Sequence, residues 1–208
     1  MKLSIALSAL AVLSGANAFV QRTSFIRATE LSASRQPIMA GNWKMNPATE
    51  EDAIALATAL TEYLGDETCA VTDDVEDDSC TEVVVFPPHP FIRTVKDICE
   101  EVGIVVGAQS IFFLDKGAYT GSVSASMVKS IGCEYILCGH SERRTLFNDS
   151  DDMINKKIIK VLESGMKPIL CIGETKDEYD LNIKNEVCAM QLSKDLLGVT
   201  KEQMEVRN

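Results

Sequence analysis

No C-x-x-C pair occurs among the seven cysteines (Cys69, Cys80, Cys99, Cys133, Cys138, Cys171 and Cys188). The count is odd, and Cys133, Cys138 and Cys171 sit in or beside apolar runs, where a thiol behaves as a small buried hydrophobe. This argues against a disulfide framework and against a zinc site. Cys69 and Cys80 bracket an acidic stretch at a spacing that allows a loop disulfide, with free thiols as the simpler reading. No G-x-G-x-x-G follows an apolar run and no G-x-x-x-x-G-K-[ST] exists, which weighs against dinucleotide and nucleoside triphosphate binding. Basic residues are also in short supply: 20 Lys and Arg face 31 Asp and Glu, for a net charge of −11. Eleven of the acids lie within residues 50–79, which hold no Lys or Arg, and the rest of the chain carries 20 of each sign. The acidity therefore marks one solvated region. A nucleic-acid binder needs a basic stripe to replace counterions, so this charge pattern argues against that class of partner. With 46% hydrophobic residues and only 12 Gly and 6 Pro in 208, the chain is neither disordered nor collagenous and can build one sizeable core.

The first 36 residues read as a leader. Lys2 supplies a positive start, an apolar stretch of about 12 residues follows, and Ala16-Asn17-Ala18 fits small-x-small cleavage. That stretch is too short to span a bilayer, so a signal peptide over residues 1–18 is expected and no membrane association after its removal. Residues 19–36 hold Arg22, Arg27 and Arg35, several hydroxyl residues and Glu30 as the one acid, which is transit-peptide composition. The two parts together resemble the bipartite presequences of algae with secondary plastids. Plastid delivery is the expected destination, with plain secretion as the alternative.

From Pro37 onward, short apolar runs alternate with amphipathic segments. Candidate strands cover residues 38–43, 82–86, 104–108, 134–138 and 168–172. They are nearly continuous in apolar character, as strands buried on both faces of a parallel sheet are. Helices are expected between them. Thr49-x-x-Asp52 opens the first with a capping-box pattern, and Leu56, Leu60, Tyr63 and Leu64 follow at helical spacing. The second starts at Pro90 and carries Phe91, Val95, Ile98 and Val102 on one stripe. A short third falls near residues 123–130. The fourth places Ile154, Ile158, Val161 and Leu162 in register and stops at Gly165. The last spans about 177–197, with Ile183, Val187 and Met190 in register. Five strands alternating with helices define the α/β class, as either a barrel or an open doubly wound sheet.

In α/β barrels, reacting groups lie just past the C-terminal ends of the strands. Here those positions hold Gly41-Asn42-Trp43-Lys44-Met45-Asn46, then Gln109-Ser110, then Gly139-His140-Ser141-Glu142-Arg143-Arg144, then Gly173-Glu174-Thr175. Asn42 and Lys44 are two apart, so strand alternation would point both side chains toward the mouth. An amide donor beside a fixed positive charge suits a small anionic substrate with a carbonyl or hydroxyl. His140 follows a buried strand and precedes a helix start, whose N–H groups oppose a positive charge beside them. The ring is expected neutral and able to polarise a carbonyl by donating a hydrogen bond. His89, between Pro88 and Pro90, reads as a loop residue.

These segments, with Gly117-Ala118-Tyr119-Thr120-Gly121 and Cys171-Ile172-Gly173-Glu174-Thr175, resemble the triosephosphate isomerase family in order and near its spacing. Val123-Ser124-Ala125-Ser126-Met127 and Gly132-Cys133-Glu134-Tyr135 extend the likeness, which covers about residues 37–205. The resemblance implies a (β/α)8 TIM barrel, of which about five βα units are present, and a homodimer. It implies interconversion of dihydroxyacetone phosphate and D-glyceraldehyde 3-phosphate without metal or cofactor. It assigns substrate contact to Asn42 and Lys44, the electrophile to His140 and support to Ser141 and Glu142. It places Thr120 on a loop reaching the partner subunit's site. A neutral histidine at a helix N-terminus is the family's own known device.

The chain also departs from the family pattern. It contains no Tyr-Glu-Pro-Val-Trp-type segment, which supplies the family's catalytic Glu, and no glycine-rich phosphate segments after later strands. Residue 208 falls about where a sixth strand would begin. Ser122 stands where the family commonly has Glu, Asn148-Asp149 replaces a usual Gly-Glu, and about 68–79 reads as an insertion between the first helix and the second strand. Two function classes follow: an isomerase whose sequence is incomplete at residue 208, and a truncated, non-catalytic paralogue that binds a partner or phosphometabolite. A different phosphate-binding barrel would not share this four-motif set.

Overall fold

The computed structural model describes residues 37–64 and 81–204. The leader, the acidic insertion and Cys69 and Cys80 lie outside them. Five parallel strands follow in chain order: β1 (Ile38–Asn42), β2 (Glu82–Phe86), β3 (Val105–Val106), β4 (Tyr135–Cys138) and β5 (Lys167–Leu170). β1 pairs with β2 from Ile38↔Glu82 to Asn42↔Phe86, β2 with β3 at Val84↔Val105, and β4 with β5 from Tyr135↔Lys167 to Cys138↔Leu170. β3 is joined to β4 by the parallel bridge Ala108↔Ile136, where Ala108 N–H donates to Tyr135 O at 2.9 Å and Leu137 N–H to Ala108 O at 3.0 Å. The expected third strand is thus interrupted at Gly107, between β3 and the bridge.

Parallel neighbours require a crossover, and helices supply it. They are α1 (Glu50–Leu64), α2 (Ile92–Cys99, entered through a 3-10 turn at His89–Phe91), α3 (Ala125–Ser130), α4 (Ser141–Leu146) and α5 (Asp151–Glu163). After β5 come α6 (Lys176–Asp180), α7 (Lys184–Asp195) and α8 (Lys201–Met204). Starts are fixed by side chains: Ser124, Ser150 and Thr175 each accept an N–H in the first turn, Thr175 within a full capping box with Glu178. Thr49 Oγ1 likewise accepts from Asp52 N–H at 3.2 Å, as its spacing suggested.

Alternation along the strands explains why they read as continuous apolar runs. Val85, Val106, Ile136 and Cys138 pack outward with Ala53, Ala57, Ile92, Val95, Ile154, Ile158 and Val161 in one core. Val84, Phe86, Tyr135 and Leu137 form a second cluster on the opposite face, joined by Val105, Ile169 and Cys171. Each fully buried aliphatic or aromatic side chain contributes about 1.5–3 kcal/mol of transfer free energy. Burial holds the Cys133 and Cys138 thiols up at about 12, which fits their role as small hydrophobes.

In three helices the buried stripe coincides only in part with the residues that the apolar spacing marks. In α1 the buried residues are Ala53 and Ala57, with Leu60 and Leu64 partly buried, while Tyr63 is exposed. Two alanines bring the helix close against its neighbours, and a stripe through Leu56 and Tyr63 would not. In α2 Val95 is buried as expected, Ile92 and Cys99 are buried beside it, and Phe91, Ile98 and Val102 pack partly buried against the same core. The expected last helix is two helices, broken at Leu181–Ile183 by Asn182 at φ 57°. Its inward stripe is Val187, Gln191 and Asp195, and Met190 is exposed.

Candidate active site

The site is built at the C-terminal ends of the strands. β1 ends at Asn42, and the chain then turns so sharply that Lys44 adopts the left-handed region at φ 56°. Strand alternation therefore stops before Lys44. Asn42 and Lys44 are held together by a turn, in which Asn42 Oδ1 accepts the Lys44 N–H at 2.9 Å. The Lys44 carbonyl is bound as well: Gln109 Nε2 donates to it at 2.7 Å and to the Phe86 carbonyl at 2.9 Å. The ammonium of Lys44 reaches the exit of β4 and pairs with Glu142 Oε1 at 2.9 Å. That hydrogen bond, helped by the charge of Lys44, holds the Glu142 carboxyl below its ordinary value.

His140 stands as the N-cap of α4. Its Nδ1 accepts the Glu142 N–H at 3.3 Å. The Glu142 carboxylate lies 3.6 Å from the same nitrogen, beyond hydrogen-bond reach. With Nδ1 engaged as acceptor, the proton of a neutral ring is assigned to Nε2. Glu142 thus ties a fixed cation from β1 to an imidazole from β4, one through its side chain and the other through its backbone. The group combines a positive charge, an amide and an imidazole N–H donor, which suits a small oxyanion with an adjacent carbonyl. Ser141 opens α4, and its carbonyl accepts the Thr145 hydroxyl at 2.9 Å. Thr120 lies on an exposed turn. Among the described residues, no cluster of three or more His, Cys, Asp or Glu could hold a metal ion, and no helix is long and apolar enough to cross a membrane.

Comparison with known proteins bears on the family. The family model for triosephosphate isomerase matches residues 37–207. The chain belongs to the triosephosphate isomerase family. Among similar proteins are triosephosphate isomerases from Carboxydothermus hydrogenoformans, 39% identical over 82% of this chain and 63% of the relative, and Chlorobium luteolum, 42% identical over 79% and 62%. A third, from Cutibacterium acnes, is 44% identical over 82% of this chain and 64% of its own length. The chain thus spans just under two thirds of the length of these curated relatives.

Behind the mouth, two arginines of the β4 motif anchor the site of this triosephosphate isomerase family member. Arg143 binds Asp149 through Nε at 2.8 Å and Nη2 at 3.3 Å, and buried Lys157 binds the same carboxylate. Burial alone would raise Asp149, but the hydrogen bonds from Arg143 and Lys157 outweigh it and hold the carboxyl below its ordinary value. Arg144 donates to Gly139 O at 2.7 Å, Cys171 O at 3.1 Å, Asp151 at 2.8 Å and Asp195 at 2.6 Å. It thereby clamps the exits of β4 and β5 together. Gly139 makes room for this: at φ 79°, a Cβ there would lie 2.7 Å from the guanidinium and 3.0 Å from the Cys171 carbonyl. His89 is more than a loop residue. It opens the 3-10 turn, and its Nε2 bonds the Ser110 carbonyl at 2.9 Å. Burial lowers its pKa against the opposing effect of that bond, and Arg143 adds to the lowering.

Sequence reasoning placed Gln109 at a strand exit without giving it a role, and it missed the Arg144 clamp and Gln191. The Gln191 amide brackets the Gly173 peptide, accepting its N–H at 2.9 Å and donating to its carbonyl at 3.1 Å. A signal was present for Gln109, in its position immediately after an apolar run. For Gln191 there was none, because a glutamine within an amphipathic helix reads as solvent-facing.

Proposed function

We propose that the full-length protein carrying this segment interconverts dihydroxyacetone phosphate and D-glyceraldehyde 3-phosphate through an enediol(ate), without metal or cofactor. The observation that carries this reading is the junction at Glu142, which brings Lys44 and His140 to one mouth. Lys44 supplies charge for a phosphorylated substrate, and Asn42 orients its neighbour in the turn. The His140 Nε2–H donates to the substrate oxygen on which negative charge develops, the Glu142 N–H holds the ring at Nδ1, and Ser141 supports the site as the first residue of α4. Proton abstraction needs a base within about 3 Å of the carbon next to the carbonyl. The family resemblance assigns that base to a Glu after a sixth strand, outside these 208 residues. The test is a coupled isomerase assay on the full-length protein and on its His140→Ala variant. A donor of this kind is worth about 3–4 kcal/mol in the transition state, so kcat should fall about 10²–10³-fold with KM nearly unchanged. Full-length protein without turnover would favour the non-catalytic binding reading, and an unchanged kcat in the variant would remove His140 from the chemistry.

A homodimer is part of the same proposal. It is supported by the exposed Thr120 loop and by the exposed apolar side chains of Met45, at 91%, and Phe147, at 62% exposure. Sedimentation of the full-length protein at the monomer mass would contradict it. Plastid delivery rests on the composition of residues 1–36, and a fluorescent fusion of that leader found outside the plastid would overturn it.

A further inference from the structure

We infer that Gln109 is a positioning residue: its side-chain amide fixes the strained backbone of Lys44 and thereby sets where the ammonium sits. This rests on the isomerase reading above for its kinetic consequence, though not for its structural one. A lysine in the left-handed region is uncommon, and the conformation is strained. It persists only where the surroundings over-determine it. At φ 56°, Lys44 is held from both sides by side chains of the site. Asn42 takes its N–H at 2.9 Å, and Gln109 gives to its carbonyl at 2.7 Å.

The second hydrogen bond of the same NH₂ group decides the geometry. It goes to the Phe86 carbonyl at 2.9 Å, which already accepts the Trp43 N–H at 3.1 Å as the last rung between β1 and β2. One amide from the exit of β3 therefore bridges two carbonyls, from the exits of β1 and β2, that no other donor holds together. Without that donor the Lys44 carbonyl loses its tie to the sheet, and the residue can relax toward the right-handed region. Relaxation swings the side chain away from the position in which Nζ meets Glu142 Oε1 at 2.9 Å. Gln109 touches neither the ammonium nor His140. Its tie to the site runs through the backbone of Lys44, and the double substitution with Lys44→Ala separates that role from its support of the β1–β2 rung.

The test uses the full-length protein with Gln109→Leu and Gln109→Glu. Leu keeps the bulk and removes the donor. Glu keeps the shape but turns a carboxylate oxygen toward two carbonyls. Amide exchange at Lys44 is expected to speed up at least tenfold in both variants, while exchange at Ile136 in β4 stays as in the parent. In the isomerase assay, kcat/KM should fall roughly tenfold, mainly through KM, as release of the strained conformer predicts. The same substitution should cost almost nothing further in a Lys44→Ala background, because coupled residues are not additive. Additive effects, or unchanged exchange at Lys44, would overturn the assignment. Should the parent protein show no turnover, the isomerase reading fails and the exchange measurement alone still decides the role of Gln109.

Discussion

Asp149 and Asp195 both lie buried against an arginine of the strand-four motif, yet they shift in opposite directions. Asp149 has two cations, Arg143 and Lys157, and sits below its ordinary value. Asp195 is wholly buried, takes one hydrogen bond from Arg144 at 2.6 Å and leaves Oδ1 without a partner. Burial dominates there and raises its pKa despite the guanidinium. The stability linked to Asp149 is present above the ordinary carboxylate value near 3.8 and is lost as the pH falls through its depressed native value. For Asp195 the sign reverses. Its contribution is complete below 3.8 and is lost as the pH rises through its raised native value. At neutral pH an ionised Asp195 is therefore a burden, and Arg144 keeps Asp151 if the charge is removed. Asp195→Asn is expected to raise Tm by about 2–4 °C at pH 7–8, corresponding to roughly 1 kcal/mol. The gain should vanish toward pH 3.5, where Asp195 is itself neutral. A lower Tm for the variant at pH 8 would show that the ion pair outweighs its desolvation. None of this was legible in the sequence. Asp195 follows Lys194 near the end of an amphipathic segment and reads as solvated, because the arginine that meets it lies 51 residues away.

At the scale of the element, what the sequence reveals depends on which residues mark the buried face. Ile154, Ile158 and Val161 of α5 are large, regularly spaced and buried as expected. α1 defeats the same reasoning because its buried face is made of Ala53 and Ala57, which periodicity reasoning underweights beside Leu56 and Tyr63. The strands were legible as apolar runs, but the break in the third was not. Gly107 shows why it is there. A Cβ at this position would lie 2.3 Å from Phe86 Cε1 and 2.6 Å from the Tyr135 carbonyl oxygen. The ring could turn, but the carbonyl belongs to the ladder between Ala108 and β4 and cannot. Gly107→Ala is therefore expected to destabilise the fold by about 2–3 kcal/mol, as overpacking of a well-filled core does. It should lower the urea midpoint of the full-length protein without altering the slope. An unchanged midpoint would show that β3 can shift to admit a methyl group.

At the scale of the whole molecule, the exposure of β1 connects folding to function. A parallel sheet needs cover on both faces and along its edges. Yet Ile38 and Met39, at the start of β1, are 46% and 61% exposed, and none of the four residues of β5 is fully buried. Within the described residues β1 pairs only with β2, and β5 only with β4. The inner-face cluster of Val84, Phe86, Tyr135 and Leu137 has Ile169 and Cys171 on its β5 side and nothing equivalent from further strands. A polypeptide confined to residues 37–208 would carry two open strand edges and part of an open apolar interior. Such edges pair with other copies of the chain. The chemistry would fail independently. The Glu142 carboxylate is committed to Lys44, and Glu174 lies beyond β5 in the segment that Gln191 holds at Gly173. The family resemblance assigns the base to neither of them. Recombinant residues 37–208 are thus expected to show isomerase activity at background in the coupled assay and to elute from size exclusion as broad, concentration-dependent oligomers. Robust turnover from a sharply eluting monomer or dimer would mean that the first five βα units close on themselves and that a carboxylate among Glu142, Glu174 and their neighbours abstracts the proton.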